Sequence, residues 1–288
     1  MHVSRPSDTA TYVAMGRALA HARRPLRQFS DPFALQLLPT DCAATVERIL
    51  RGALPRGPRD LRLGLIAKAM VKLMGSRTVE IDEGLRAMTP GTQVVIVGAG
   101  LDSRAYRLRE LSGSVLFEVD HPATQAFKRE RAAPLKPCVR ELRHVAVDLS
   151  REPLAPTLAR AGHSTDVPTA WVFEGVISYL TRAEVESSIE AMASRSAVGS
   201  RLLATYNEPR RSRKLLTAAF IARTGEPHRA WFMPPEMKQL LEERGFAVLS
   251  DRDGIERTVR AGGQPSPIER FIARPHHVVI ADLTEALR

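Results

Sequence analysis

The sequence predicts a doubly wound α/β fold preceded by a helical segment. From residue 93 onward, short apolar runs that end in glycine or an acid alternate with helical stretches. This spacing indicates βαβ units and a parallel sheet. Before residue 90, apolar residues three and four apart are interrupted by proline-rich joints, which is typical of packed helices. At 288 residues and 44% hydrophobic composition, the chain suits one domain with a large core.

Four helices are expected ahead of the sheet. The spacing of Val13, Arg17, Leu19 and Ala20 predicts the first, and Asp31 before Pro32 predicts the capped start of the second. Apolar spacing places the third at 60–74 and the fourth at 78–88, with a linker at 52–58.

Five apolar runs predict the parallel strands, at 93–97, 114–119, 143–147, 169–173 and 201–205. Continuous apolar runs indicate strands buried on both faces. A basic helical stretch at 210–223 and a helix at 235–244 follow. The segments 246–251 and 271–280 then predict an antiparallel pair of strands with no helix between them.

The charge balance does not indicate a nucleic-acid partner. The net charge of +10 comes from 42 Lys+Arg against 32 Asp+Glu, and 36 of the 42 basic residues are Arg. These arginines are scattered and aromatic residues are only 5% of the chain, so stacking platforms beside basic patches are not expected. A solvated, arginine-rich surface is the favoured interpretation.

Cysteine use and hydropathy predict a soluble, unprocessed cytoplasmic protein. Cys42 and Cys138 lie far apart with no CxxC partner, which supports neither a metal cluster nor a disulfide framework. No run approaches the 18 consecutive apolar residues of a membrane helix, and the first residues lack the apolar stretch of a secretion signal. No membrane partner and no bound metal are expected.

The sharpest motif is VVIVGAGLDSRAYRL at 94–108, in which a buried strand runs into Gly98-Ala99-Gly100 and then a helix. Glycines there let a ligand approach the backbone, and the helix start offers free N–H groups. A dinucleotide fingerprint would need glycine where Ser103 stands, and Asp102 would repel a pyrophosphate. A ligand with a cationic centre fits this loop better.

Three strands in succession end in acids, Asp120, Asp148 and Glu174. Ligands of open α/β sheets bind at the carboxyl ends of strands, so we expect these acids to meet in one crevice. Asp120, 22 residues after Gly98, can accept hydrogen bonds from both ribose hydroxyls of an adenosine. The alternative is that each acid only caps the helix that follows it.

These residues resemble the leucine carboxyl methyltransferase family of S-adenosyl-L-methionine-dependent enzymes, and within it a bacterial polyketide O-methyltransferase-like branch. The matching stretches are 76–82, VVIVGAGLDSRAYRL, FEVDHPATQAFK at 117–128, 147–149 and FEGVISYL at 173–180, with a weaker match at 31–34. The resemblance extends from about Arg17 to Phe246.

The resemblance implies a class I methyltransferase (Rossmann-like) fold, a seven-stranded, mostly parallel sheet with an antiparallel last strand. It implies a helical N-terminal extension and lid at 1–90 and a cofactor-binding core at 91–288, with a lid insertion at about 207–234. It also implies S-adenosyl-L-methionine as cofactor. Arg77 would pair with the methionine carboxylate and Glu174 would lie near the amino group or sulfonium. The remaining implied contacts are the backbone at Gly98 and Gly100, the ribose at Asp120, and the adenine edge at Asp148 and Leu149.

The candidate general base for a phenolic or enolic acceptor is His228, with Tyr206, Tyr179 and His121 as alternatives. Both tyrosines could instead be tethered core residues, and His121 a turn residue. The segment 231–233, Trp-Phe-Met, could line an apolar acceptor pocket or form lid core. The basic run 210–214 could attract an anionic substrate, although a solvated helix face is the simpler interpretation.

The expected function is O-methylation of a small aromatic or polyketide-like metabolite of secondary metabolism, at a phenolic hydroxyl or a carboxyl group. A protein carboxyl-terminal methyltransferase shares the cofactor site and is the first alternative. A binding module that holds the cofactor without turnover is the second, and RNA methylation, suggested only by the net charge, is the third. The sequence leaves the oligomeric state open.

Overall fold

A seven-stranded sheet forms the centre of the computed structural model, which describes residues 7–149, 151–209 and 228–285. The strand order across the sheet is β3-β2-β1-β4-β5-β7-β6. The strands are β1 Gln93–Val97, β2 Val115–Asp120, β3 Glu141–Ala146, β4 Thr169–Phe173, β5 Arg201–Asn207, β6 Phe246–Arg252 and β7 His276–Leu283.

Strands β1 to β5 are parallel, and β7 runs antiparallel between β5 and β6. Val94 of β1, for example, is in register with Leu116 of β2 on one side and Ala170 of β4 on the other. The predicted fold class is therefore confirmed, and so are the five predicted parallel strands, each to within two residues. The carboxyl ends of β1, β2, β4 and β5 lie at one edge of the sheet.

Helices cover both faces of the sheet. In the described part of the chain they are α1 Asp8–Arg23, α2 Ala34–Leu37, α3 Thr40–Leu50, α4 Pro58–Arg86, α5 Arg104–Arg107, α6 Pro122–Ala132, α7 Leu154–Arg160, α8 Arg182–Ser194, α9 Pro234–Glu242, α10 Gly254–Arg260 and α11 Pro267–Ala273. Short 3-10 turns add Arg109–Leu111 and Ile177–Tyr179. None of these helices combines the length and apolar character needed to cross a bilayer.

Alternate residues of β1 enter two different hydrophobic cores. Val94 and Ile96 pack with residues of α1 and α4 on one face, while Val95 and Val97 pack with α7, α8 and α9 on the other. Every residue of β1 is buried, as are all five of β4. Burial on both faces explains why these strands read as continuous apolar runs in the sequence.

The two helices predicted at 60–74 and 78–88 are wrong, because α4 is one helix of 29 residues. Gly75 does not interrupt it. A Cβ there would lie 2.7 Å from Leu26 Cδ1, so the glycine allows neighbouring side chains to approach the helix closely. The packing of α4 along α1 holds it together where local propensity alone suggests a break.

The prediction of no helix between the last two strands is also wrong. Helices α10 and α11 both lie there, and β7 starts at His276 rather than at residue 271. Each helix begins with a capping box, Asp253 with Glu256 and Ser266 with Glu269. An N-cap residue followed three positions later by Glu is a start signal visible in the sequence.

Other N-terminal expectations hold in part. The first helix is present, and the Asp31 carboxylate accepts hydrogen bonds from the backbone of Phe33 and Ala34, at 3.3 and 3.1 Å. The helix it caps, α2, is only four residues long, and α3 was not predicted. The predicted helix at 235–244 is α9, whereas the basic stretch 210–223 lies outside the described residues.

Candidate active site

A cavity of about 1340 Å³ opens at the carboxyl ends of the central strands, where ligands of this fold bind. Its walls also include α1, α4, α10 and the segment before β7. Seven of the nine predicted site residues line it, namely Arg77, Gly98, Gly100, Asp120, Glu174, Tyr206 and His228.

The glycine loop after β1 adopts a backbone that favours glycine. Gly98 has φ +73° and Gly100 has φ +46°. A Cβ at Gly98 would lie 2.4 Å from Val176 Cγ2, so a side chain there would collide with the loop that follows β4. The Gly98 N–H donates to the carbonyl of Val119 at 2.8 Å, which joins the loop to the end of β2.

Asp120 at the end of β2 is held by backbone donors. Its Oδ1 accepts a hydrogen bond from His121 N at 2.6 Å, and its Oδ2 accepts a short one from Gly100 N. Burial raises the pKa of Asp120, while these two donors act in the opposite direction. Because a carboxylate has about four acceptor positions, two remain for hydroxyl groups in the cavity.

Glu174, which directly follows β4, lies between two arginines. Arg77 Nε donates to its Oε1 at 2.6 Å, and Arg104 Nη1 donates to its Oε2 at 2.8 Å. Burial alone would raise the pKa of Glu174, but Arg77, Arg104 and Arg17 outweigh it and hold the pKa well below its usual range. The cavity therefore contains a carboxylate that is ionised at neutral pH, which suits a cationic ligand.

A buried ionic network supports this carboxylate, and sequence reasoning missed it. Arg104 is fully buried and pairs with Asp82 at 2.8 Å as well as with Asp102 and Glu174. Arg107 also pairs with Asp82. All of these residues lie in the stretches 76–82, 94–108 and 173–180 that the sequence analysis singled out, but their mutual pairing depends on the fold.

A second missed arginine joins the first helix to the glycine loop. Arg17 Nη2 donates to the carbonyl of Leu101, and Arg17 Nη1 lies 3.2 Å from Asp31 Oδ2. Asp31 in turn accepts a hydrogen bond from Ser103 Oγ at 2.8 Å. These contacts place the start of α1 over the cavity, where Thr9 and neighbouring residues line it.

Asp148 and Leu149 are not among the residues that line the cavity. They follow β3, one strand beyond β2, and Asp148 Oδ2 lies 3.6 Å from Arg151 Nε. Leu149 is partly buried against the core that contains α7 and α8. Their assignment to the adenine edge stays a prediction.

Tyr206 on β5 is almost completely buried, and its phenol donates a short hydrogen bond to Asp251. Burial together with the nearby carboxylates of Asp251 and Glu208 raises the pKa of the phenol well above its usual value. The hydroxyl therefore stays protonated at physiological pH. It can donate a hydrogen bond, but it is a poor general base.

His277 of β7 stacks on Tyr206, with ring centroids 4.9 Å apart, and sequence reasoning missed it. Its Nδ1 lies 2.9 Å from Asp251 Oδ1 and its Nε2 lies 3.1 Å from Glu208 Oε1. Tyr206, Glu208 and His277 all line the cavity. What places His277 here is the pairing of strands β5 and β7, because Tyr206 and His277 are directly in register.

His228 lines the cavity beside Tyr179, with the two rings edge to face at 5.3 Å. Burial lowers the pKa of His228, so its imidazole is neutral at pH 7 and can accept a proton. The Tyr179 hydroxyl lies 3.1 Å from Thr9 Oγ1. His121 instead caps α6 by accepting a hydrogen bond from Ala123 N, as expected of a residue before a helix.

The rest of the cavity wall is mainly apolar. Its apolar side chains include several from α4 and others from the segments before β7 and α9, namely Ile66, Met70, Leu73, Met74, Trp231, Phe271 and Ile272. Of the segment 231–233, only Trp231 lines the cavity. Phe232 is buried in the core, and Met233, 44% exposed, is the N-cap residue of α9.

Neither cysteine forms a disulfide, and Cys42 is buried. Among the described residues, no group of three or more His, Cys, Asp or Glu side chains is arranged to hold a metal ion. The predicted run at 210–214 lies outside the described residues.

The sheet order, with β7 antiparallel between β5 and β6, and the glycine loop beside Asp120 define a class I S-adenosyl-L-methionine-dependent methyltransferase fold. The chain belongs to the leucine carboxyl methyltransferase family, whose model matches residues 10–193. This confirms the expected family and, with it, the family's cofactor, S-adenosyl-L-methionine.

Mycobacterial relatives support the assignment. A sequence-predicted S-adenosyl-L-methionine-dependent methyltransferase of Mycobacterium marinum is 38% identical over 198 residues, which cover 67% of this chain and 64% of that protein. One from Mycobacterium avium is 39% identical over 211 residues, which cover 70% and 66%. The match thus spans just under two thirds of the length of these relatives.

Solved structures share the fold at low identity. Geranyl diphosphate C-methyltransferase from Streptomyces coelicolor superposes with a TM-score of 0.54 at 15% identity, covering 80% of this chain and 84% of that one. A possible exported protein from Bordetella parapertussis superposes with a TM-score of 0.55 at 16% identity, covering 96% and 97%. At these identities the likeness concerns the fold alone.

Proposed function

We propose that this chain transfers the methyl group of S-adenosyl-L-methionine to an oxygen atom of a small aromatic or polyketide-like metabolite. The observation that carries this proposal is a single cavity with ionic groups at the strand ends and an apolar wall from α4. Its volume of about 1340 Å³ exceeds the roughly 300–1,000 Å³ of a typical single-ligand pocket. Such a volume suits a cofactor and an acceptor bound side by side.

The residues present fit the cofactor. Asp120 keeps acceptor positions for the ribose hydroxyls, and the ionised Glu174 complements the amino group or the sulfonium. Arg77 beside Glu174 is available for the methionine carboxylate, and we assign Asp148 and the Leu149 backbone to the adenine edge. When bound, the cofactor supplies an electrophilic methyl group for in-line attack.

The chain contributes mainly positioning and exclusion of water. Met70 and Met74 on α4, with Trp231, provide an apolar surface for the body of the acceptor. Tyr206 donates a hydrogen bond to Asp251 at the polar side of the cavity, and its raised pKa favours this donor role over a role as base.

His228 is the base that we assign to a phenolic acceptor. Its neutral imidazole would take the proton from the acceptor hydroxyl as the oxygen attacks, which contributes about 10²- to 10⁴-fold in rate. A carboxylate acceptor is already ionised at pH 7 and needs no base.

The test is incubation of the protein with radiolabelled S-adenosyl-L-methionine and matched acceptors, each a phenol or an aromatic carboxylic acid beside its methyl ether or methyl ester. Label in the free phenols or acids, and none in the blocked partners, is the expected result. Cofactor binding without transfer to any acceptor would instead indicate a binding module.

The family membership favours one further candidate, methylation of a protein carboxyl terminus, because the matching model describes leucine carboxyl methyltransferases. A peptide with a free carboxyl-terminal leucine, compared with its amide, separates the two functions. Transfer to the free peptide but to no small acceptor would replace our proposal with this one.

A further inference from the structure

Arg257 on α10 is a buried arginine that lines the cavity, and the roles assigned above do not include it. Its helix packs against α4 and against β7. The side chain is buried, with the residue only 1% exposed. Its Nη1 atom donates to two backbone carbonyls, those of Arg252 at 2.9 Å and His276 at 2.7 Å, which fixes the orientation of the guanidinium group.

The other edge of this guanidinium is unused. Within the described residues, neither Nε nor Nη2 of Arg257 has a hydrogen-bond partner, and both atoms are buried. These two nitrogens carry the parallel N–H bonds of the arginine fork, the geometry that binds both oxygens of a carboxylate. Buried polar groups are normally satisfied, so two buried and unpartnered nitrogens on a residue that lines the cavity point to an acceptor supplied by a ligand.

The other arginines that line the cavity have acidic partners. Arg17 pairs with Asp31 at 3.2 Å, and Arg77 pairs with Glu174 at 2.6 Å. Arg229 lies 3.8 Å from a glutamate on α8. In the described part of the chain, Arg257 has no acidic group within 4 Å. Burial and the nearby Arg77 lower the pKa of its guanidinium group, but only to about 10. It therefore remains charged at neutral pH.

We propose that the Nε–Nη2 edge of Arg257 binds a carboxylate of the methyl acceptor, so that the acceptor is a largely apolar carboxylic acid. This inference rests on the proposed function and specifies its substrate class. The apolar body of such an acid has a surface to lie on in the same cavity, because Met74, Phe271 and Ile272 line it together with Arg257.

A monoanion suits the site better than a phosphate. One free fork offers two parallel donors, which match two oxygens of either a carboxylate or a phosphate, so the discrimination comes from the charge of the ligand. The cavity also contains the carboxyl groups of Glu174 and Glu208, and these would repel a doubly charged group more strongly than a singly charged one. Arg257 thus becomes a specificity-determining residue for an acid over its neutral analogue.

The test is titration calorimetry on the full chain saturated with S-adenosylhomocysteine, using three acid and amide pairs: benzoate, 1-naphthoate and octanoate with their primary amides. We expect at least one acid to bind ten or more times more tightly than its amide, and more tightly than inorganic phosphate. Equal affinities in all three pairs, or tighter phosphate binding, would overturn the proposal. Because this comparison uses only the wild-type protein, it tests the proposal even if a variant fails to fold.

Variants of Arg257 test whether its Nε–Nη2 edge causes the preference for an acid over its amide. Arg257→Met should abolish the acid preference and Arg257→Lys should reduce it, because an ammonium group lacks the fork geometry. The matched control is Arg260→Met, one turn along the same helix and half-exposed beside Glu80 and Glu83, which should leave the preference unchanged. An acid preference that survives in a folded Arg257→Met variant contradicts the proposal.

The same titrations separate this inference from the proposed function. Arg257→Met should keep its affinity for S-adenosylhomocysteine within threefold, and a tenfold loss would mean that the fork binds the carboxylate of the cofactor instead. If the wild-type protein does not bind S-adenosylhomocysteine, the proposed function fails, while the acid and amide pairs still report on the fork. In the same titrations, a peptide with a free carboxyl terminus and its amide show whether the fork binds the end of a protein chain rather than a small acid.

Discussion

The Nε atom of Arg77 lies 2.6 Å from Oε1 of Glu174, which ties the middle of α4 to the end of β4. The contact joins residues 97 positions apart and brings the helical N-terminal part of the chain into the site. It also helps to keep Glu174 ionised inside the cavity. The negative charge of Glu174, rather than the shape of its side chain alone, should therefore determine how well a cationic cofactor binds.

Glu174→Gln, which keeps the shape and removes the charge, should weaken the binding of S-adenosylhomocysteine by roughly 10- to 150-fold. Hydrogen bonds to charged groups contribute about 1.5–3 kcal/mol, which corresponds to that range. Isothermal titration calorimetry measures it. The control is Glu110→Gln, which removes the partner of Arg86 at an exposed pair and should change nothing. An affinity for the Glu174 variant within twofold of wild type would remove Glu174 from the cofactor site.

Asp120→Ala should cause a comparable loss of cofactor affinity. The substitution removes both acceptor positions proposed for the ribose and the acceptor that holds Gly100 N. Equilibrium dialysis with labelled S-adenosyl-L-methionine checks it, with the exposed Asp166→Ala as the unaffected control. Unchanged binding in a folded Asp120 variant is the outcome that contradicts this assignment.

His228→Ala should lower kcat for a phenolic acceptor by about 10²- to 10⁴-fold and leave cofactor affinity intact, because it removes only the proposed base. With wild-type protein, kcat should rise with pH as the imidazole loses its proton. The midpoint should lie below the usual histidine value of 6.5, since burial lowers the pKa. A fully active variant, or a profile unchanged by the substitution, would show that another group accepts the proton.

His163 should make stability depend on pH. Burial and then Arg195 lower the pKa of this histidine from 6.5 to about 4. The unfolded chain therefore binds the proton first, so stability is complete above pH 6.5 and falls as the pH approaches 4. The shift corresponds to roughly 3 kcal/mol. Urea unfolding of wild type and His163→Gln at pH 7 and 4.5 measures it, and parallel losses in the two proteins would exclude His163 as the cause.

Asp31→Ala should destabilise the fold by about 3–5 kcal/mol, because it leaves the buried Arg17 without its counter-charge. It also removes the acceptor for Ser103 Oγ. Glu110→Ala breaks an exposed ion pair and should cost about 0–1 kcal/mol. Chemical denaturation compares the two variants, and equal midpoints would show that burial of the Arg17 pair contributes no stability.

Much of the site was accessible from the sequence because it depends on short-range patterns. The run 93–97 is apolar throughout since β1 is buried on both faces, and Gly98 is required by a positive φ directly after it. Asp120 ends β2 and Glu174 directly follows β4, and parallel strands place such ends at one edge of the sheet.

Other features depend on partners that a linear pattern does not reveal. The continuity of α4 through Gly75 is decided by packing against Leu26, and the role of His277 by its register with Tyr206. The free fork of Arg257 emerges only once backbone carbonyls engage its other edge.

By itself, then, the sequence determined the class of fold, the family and the strand ends that carry the acids, because hydrophobic period and turn chemistry are local properties. The tertiary structure alone decided which charges neutralise one another inside the cavity and which of the described arginines that line it, Arg257, has no acidic partner. Those outcomes are set by distances of a few ångströms between side chains far apart along the chain. In a desolvated site, each buried charge that lacks a partner costs free energy.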